Sequence, residues 1–137
     1  MIQLTMSLLL QAAALTAVDQ DYTKAYRETA ESGRPLVVLI GADWCPGCRQ
    51  MKYSSIPQLE KSGGLSKVAF AYVNTDQQSE LAGKLMKGSS IPQLVMYRKA
   101  GEKWERQQLT GAQSASAIQA FLNQGLEAPA SDLSSRE

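Results

Sequence analysis

Six consecutive residues, Pro35-Leu36-Val37-Val38-Leu39-Ile40, run without a polar break. The β-branched residues favour a strand, and the lack of polar–apolar alternation means that neither face meets water. A strand buried on both faces needs a layer of structure on each side. The rest of the chain offers those layers. Before the run, Tyr22, Ala25, Tyr26, Thr29 and Ala30 fall at helical spacing, with Asp19 or Asp21 to cap the start and Gly33 to end it. Tyr22 and Tyr26 are read as core positions. After the run, Gly41 to Cys48 is a turn opening into a helix from Cys45, with Pro46 in its first turn, where a missing N–H is harmless. Pro57 is expected to kink or interrupt that helix.

Lys67–Asn74 reads as a second strand. Thr75–Gln78 reads as a helix start of capping-box type, followed by an apolar stripe of Leu81, Ala82, Leu85 and Met86. Pro92–Lys99 is a third strand and Lys103–Leu109 a fourth, antiparallel one carrying Trp104, read as packing. Ser114 caps a last helix that turns Ala117, Ile118, Phe121 and Leu122 inward and ends at Gly125. The order α-β-α-β-α-β-β-α predicts an α/β fold with a central mixed sheet flanked by helices. At 137 residues there is room for a single core, placed at residues 19–124.

Composition removes several kinds of chemistry. Fourteen basic residues face 13 acidic ones, a net charge of +1, so the basic excess of a phosphate-contacting nucleic-acid binder is missing and no nucleic-acid partner is expected. There is no histidine, which excludes Ser-His-Asp and Cys-His catalysis and His-ligated metals. The only two cysteines, Cys45 and Cys48, are too few for a structural zinc site and too close together to staple a fold.

The two ends differ from the middle. Residues 1–18 carry no charge, and Met6–Ala17 is mostly apolar and ends in small residues. Residues 1–17 therefore read as a secretory signal peptide, with cleavage after Ala14 or Ala17, although no basic residue precedes the apolar run. That implies an exported, periplasmic protein. The alternatives are a first element docked on a cytoplasmic protein, or a membrane anchor at the short limit for a bilayer span. Residues 125–137 mix Gly, Pro, Ser and charges without apolar periodicity and read as a flexible tail.

Trp44-Cys45-Pro46-Gly47-Cys48 carries the chemistry. Two cysteines three apart on a helix lie on neighbouring positions of one turn, close enough to form and break a disulfide. The unpaired N–H groups and dipole of a helix start favour a thiolate at Cys45, and the thiolate is the attacking species in exchange. Cys48, one turn inside, is the resolving thiol. An inert buried pair is the bland alternative, but a CxxC beside a βαβ pattern reads as redox chemistry.

Together with Ala42-Asp43-Trp44-Cys45-Pro46-Gly47-Cys48-Arg49, the stretches Asn74-Thr75-Asp76, Ser90-Ile91-Pro92-Gln93-Leu94-Val95-Met96-Tyr97, Gly101 and Thr110-Gly111 resemble the thioredoxin family over about residues 19–124. The Ala-Asp-Trp-Cys wording is most similar to the C-terminal domain of DsbD-type thiol:disulfide interchange proteins. The resemblance implies a thioredoxin fold with four or five strands and a cis Ile91–Pro92 peptide facing the CxxC. It implies a thiol–disulfide oxidoreductase that reduces protein or peptide disulfides through Cys45 and Cys48, with Trp44, Pro46, Gly47, Ile91 and Pro92 meeting the substrate. It implies no metal or organic cofactor, an electron-donor protein of unknown identity, and a monomer. A disulfide oxidase or isomerase, and a redox-sensing peptide-binding module, are the alternatives. Trp44 is expected to cover the disulfide on the docking surface, with packing as the alternative. Arg49 stands where the family often has Lys, and either adds positive potential or is solvated.

Two departures stand out. Members of the family usually bury an Asp six residues before the nucleophile, paired with a Lys on the next strand; here those positions hold Leu39 and Tyr72. Leu39 is expected to face the space beneath Cys48. The dipeptide between the cysteines is Pro-Gly rather than Gly-Pro, and those residues tune thiolate stability and hence redox poise.

Overall fold

The computed structural model describes residues 20–127. The proposed signal segment and all but the first three residues of the proposed tail lie outside them. The elements are α1 (Gln20–Ser32), β1 (Leu36–Gly41), α2 (Pro46–Gln50), a π-helical turn (Met51–Ser55), α3 (Ile56–Ser62), β2 (Ala69–Asn74), α4 (Ser79–Leu85), β3 (Gln93–Ala100), β4 (Lys103–Thr110) and α5 (Ala115–Glu127).

The apolar run is β1, and all six residues of the strand are buried. It pairs parallel with β2 and antiparallel with β3, and β4 closes the edge, so the mixed four-stranded sheet is ordered β2-β1-β3-β4. Strand pleating splits β1 between two cores. Leu36, Val38 and Ile40 pack with Ala25 of α1, Ala82 of α4 and Ala71, Val73 and Val95 of the sheet. Val37 and Leu39 point to the other face, with Met51, Leu59, Leu94, Met96, Ile118 and Leu122. This is the thioredoxin fold, an α/β sheet with helices on both faces.

One local expectation holds and others are corrected. Pro57 interrupts the α-helix that starts at the cysteines, as expected, without ending it: the turn before the proline widens, so that Ile56 N–H bonds to Met51 O, five residues back, and α3 continues through the proline. The buried Ser55 hydroxyl ties this turn to the loop before α5, donating to Gln113 O at 2.7 Å. No capping box forms at Thr75–Gln78. The Asn74 side chain accepts from Asp76 N at 2.9 Å and Gln77 N at 3.2 Å, making a turn, and α4 begins only at Ser79.

At the far end, Ser114 Oγ accepts from Ala117 N at 3.2 Å and caps α5 as expected, but the helix runs past Gly125 to Glu127. Gly125 is there for close packing rather than termination: a Cβ on it would lie 2.5 Å from Met96 Sδ. Tyr26 is not core but 58% exposed, and Trp104 is 51% exposed. Both rim an open cleft of about 250 Å³ with Tyr22, Leu36, Leu85 and Tyr97. Among the described residues, no helix is long and apolar enough to cross a membrane.

Candidate functional site: a dithiol at the start of α2

The C-terminal end of β1 delivers the chain into the site. Gly41 and Ala42 are buried, Asp43 and Trp44 are exposed, and Cys45 turns back so that its N–H donates to Ala42 O at 3.2 Å. Cys45 is the N-cap of α2 and Pro46 follows at its first position, where no N–H is needed. The Cys45 sulfur does what a capping side chain does: it accepts from Cys48 N at 3.3 Å. Both cysteines are free thiols. Cys45 is 7% exposed and Cys48 only 1%, so an incoming reactant meets Cys45 first.

The opposite wall comes from the loop before β3. Its Ile91–Pro92 peptide is cis. Ile91 packs against Ala42 and the two cysteines, and its carbonyl oxygen lies 4.0 Å from Cys45 Sγ. Pro92 is buried, and its carbonyl accepts from Gly111 N at 2.9 Å, which locks the loop to the end of β4. A Cβ on Gly47 would sit 3.4 Å from Pro92 Cδ and 3.2 Å from Ala112 Cβ, so the absence of a side chain lets the first turn of α2 lie close to this loop. Cys45, Pro46, Gly47, Cys48, Ile91 and Pro92 are thus brought together from two stretches of chain far apart in sequence.

Trp44 does not pack inward. It is 67% exposed, and its indole N–H donates to Asp76 Oδ2 at 2.9 Å. Asp76, expected at a helix start, anchors the tryptophan beside the cysteines instead. Arg49 is exposed in the last turn of α2. Gln93 is a further residue of the site, one that the motif reading passes over. It is fully buried. Its side-chain amide donates to Lys87 O at 2.9 Å, Gly88 O at 3.3 Å and Ser90 O at 2.9 Å, and its Oε1 accepts from Lys87 N at 3.3 Å. One side chain therefore organises the loop that presents Ile91 and Pro92. A polar residue directly after the proline, at a central strand position, was the available signal.

On the floor of the site, Leu39 belongs to the cluster around Met51. Gly41, two residues on along the same face, lies directly against Cys48: a Cβ there would be 2.7 Å from Cys48 Sγ and 3.7 Å from the Tyr72 hydroxyl. Burial pushes the Cys48 thiol up to about 11, helped by its hydrogen bond with the Cys45 sulfur and opposed by the Ala42 backbone. Burial also pushes Tyr72 up to about 12, with the Asp43 charge as the second cause. Among the described residues, no group of three or more Cys, Asp or Glu side chains gathers as a metal ion would require.

The thioredoxin family model matches residues 15–124. A curated thioredoxin of Mycoplasma pneumoniae is 32% identical over 81 residues, 58% of this chain and 74% of that protein. The solution structure of a thioredoxin from Thermus thermophilus superposes with a TM-score of 0.64 at 24% identity, covering 77% of this chain and 84% of that one. The structure of Fasciola hepatica thioredoxin gives a TM-score of 0.56 at 25% identity, covering 73% and 88%. A CxxC at the head of a helix, set in this sheet and matched over most of its length, has one explanation: the chain belongs to the thioredoxin family, whose general chemistry is thiol–disulfide oxidoreduction.

Proposed function

We propose that the protein reduces protein or peptide disulfides by a dithiol–disulfide cycle of Cys45 and Cys48. The Cys45 thiolate attacks one sulfur of the substrate, a Cys45–substrate mixed disulfide forms, and the first substrate thiol leaves. Cys48 then attacks Cys45 Sγ, the Cys45–Cys48 disulfide forms and the second substrate thiol leaves. Two electrons have passed to the substrate, and a donor protein must return them. The observation that carries the reading is the unequal placing of the two sulfurs: Cys45 lies at the mouth beside the Ile91 carbonyl, and Cys48 is sealed behind it. Ile91 offers its backbone to an extended substrate segment, Pro92 lines the groove, and Trp44, Pro46 and Gly47 form the rest of the contact surface.

The test is trapping. Cys48→Ser should accumulate mixed disulfides with a disulfide substrate, Cys45→Ser should not, and the parent protein should speed insulin reduction by dithiothreitol. Trapping by Cys45→Ser alone would reverse the two roles, and binding without turnover would leave a peptide-binding module. The Pro-Gly dipeptide keeps one other reading open, that of an oxidase or isomerase. A Cys45–Cys48 potential near about −270 mV supports the reductant, and one near about −120 mV the oxidant. We also propose export to an oxidising compartment, on the strength of the uncharged, apolar residues 1–18.

A further inference from the structure

Resting on the roles proposed for Cys45 and Cys48, a further role falls to a residue outside the motif. Resolution of the mixed disulfide needs Cys48 as a thiolate, yet this sulfur is 1% exposed and its apolar neighbours disfavour charge. The floor carries the Tyr72 hydroxyl. Tyr72 of β2 stands opposite Leu39 in the register of β1 and β2, and its ring packs on the cluster around Met51. Its hydroxyl and Cys48 Sγ both flank the empty side of Gly41. Any other residue at Gly41 would push a carbon into Cys48. The ring is covered from the π-helical turn by Lys52, whose Nζ lies 4.2 Å from the ring centroid. A cation on that face draws electron density from the phenol and makes its O–H a better donor.

We propose that Tyr72 is a positioning residue for the second half of the cycle: its hydroxyl donates, through one water, to Cys48 Sγ and stabilises the attacking thiolate. In this step the Cys48–Cys45 bond forms and the Cys45–substrate bond breaks. The substrate sulfur leaves with the electron pair and takes its proton from solvent, where the Cys48 proton has gone. Tyr72 keeps its own proton throughout.

The groups around the pair are few. Cys45 at the head of α2 opposes charge on both Tyr72 and Cys48, and Asp43 in the turn after β1 opposes it on Tyr72. Tyr53 also opposes charge on Tyr72, and Lys52 lies between the two rings, its ammonium 5.4 Å from the Tyr53 ring centroid and 4.2 Å from that of Tyr72. With Tyr72 pushed up to about 12, the phenol stays a donor across the working range of pH.

The experiment mixes reduced protein with an aromatic disulfide such as dithiobis(nitrobenzoate). It follows the two successive releases of aromatic thiol against pH, the first reading attack by Cys45 and the second resolution by Cys48. Tyr72→Phe should leave the first phase unchanged. It should slow the second about tenfold near neutrality and raise its inflection by about one pH unit, the loss of one hydrogen bond to a charged sulfur. Site-specific 3-fluorotyrosine at position 72, a more acidic phenol of nearly the same shape, should move the inflection the other way. Carbon-13 shifts of Cys48 in a Cys45→Ser background should show the same ordering. A second phase with the same pH profile in all three proteins overturns the role of Tyr72. A second phase that persists in Cys48→Ser overturns the proposed cysteine roles instead, so the two failures are distinct.

Discussion

The buried resolving thiol couples the redox state of the protein to its stability. Cys48 binds its proton more tightly in the folded chain, up to about 11 from an ordinary value of 9.0. A group whose folded value is raised stabilises the fold while protonated. That contribution is fully present below about pH 9 and is lost as pH climbs toward 11. Tyr72, raised from 10.0 to about 12, adds a loss of the same sign at slightly higher pH in either redox state. The reduced protein should therefore lose melting temperature between about pH 9 and 11 faster than the oxidised protein, which has no Cys48 thiol to ionise. Thermal melts of both forms across that range decide it, and parallel curves would place the Cys48 thiol in a more solvated setting than the structure gives it.

Among the elements, the loop from α4 into β3 depends most on one side chain. Gln93 satisfies backbone groups of Lys87, Gly88 and Ser90 from inside the sheet. Gln93→Leu keeps the volume and deletes those bonds. The expected loss is about 2–3 kcal/mol, read as an earlier urea midpoint with an unchanged slope. Because the same loop carries Ile91 and Pro92, the first phase of disulfide exchange should also slow, while Cys48 resolution within the mixed disulfide should change less. Equal slowing of both phases would point to a general loosening of the sheet. The helix from Pro46 to Ser62 makes a related point: its π-helical turn accommodates Pro57 and places Lys52 over Tyr72.

For the whole molecule, the two faces of the sheet have separate tasks. The face under α1 and α4 is continuous core that opens into the aromatic cleft rimmed by Tyr26 and Trp104. The face under α3 and α5 supports the floor of the dithiol site. If residues 1–17 direct export, intact-mass measurement of protein from its native host should show a chain starting at Leu15 or Val18. A cytosolic protein that still begins at Met1 or Ile2 would overturn the export proposal.

Short-range patterns in the chain carried much of this. The unbroken apolar run announced a strand buried on both faces. Alternating helix and strand signals announced the mixed sheet. The Trp-Cys-Pro-Gly-Cys stretch announced a dithiol at a helix start, because hydrophobic period, capping and proline placement act over a few neighbouring residues. What lay beyond those patterns depended on residues far apart in sequence. Trp44 is held by Asp76, the Ile91 carbonyl faces Cys45, and Cys48 packs against β1 only because Gly41 has no side chain, with the Tyr72 hydroxyl near the same spot. Tyr26 is helical as expected yet exposed, since its period says which residues share a face and not how much of that face the sheet covers. Gly125 looked like a helix end because glycine ends helices, and α5 passes through it because Met96 of β3 needs the space. Local patterns determined the elements and placed the two cysteines; the packing of β1, β2 and the Ile91–Pro92 loop around one glycine decided what surrounds their sulfurs.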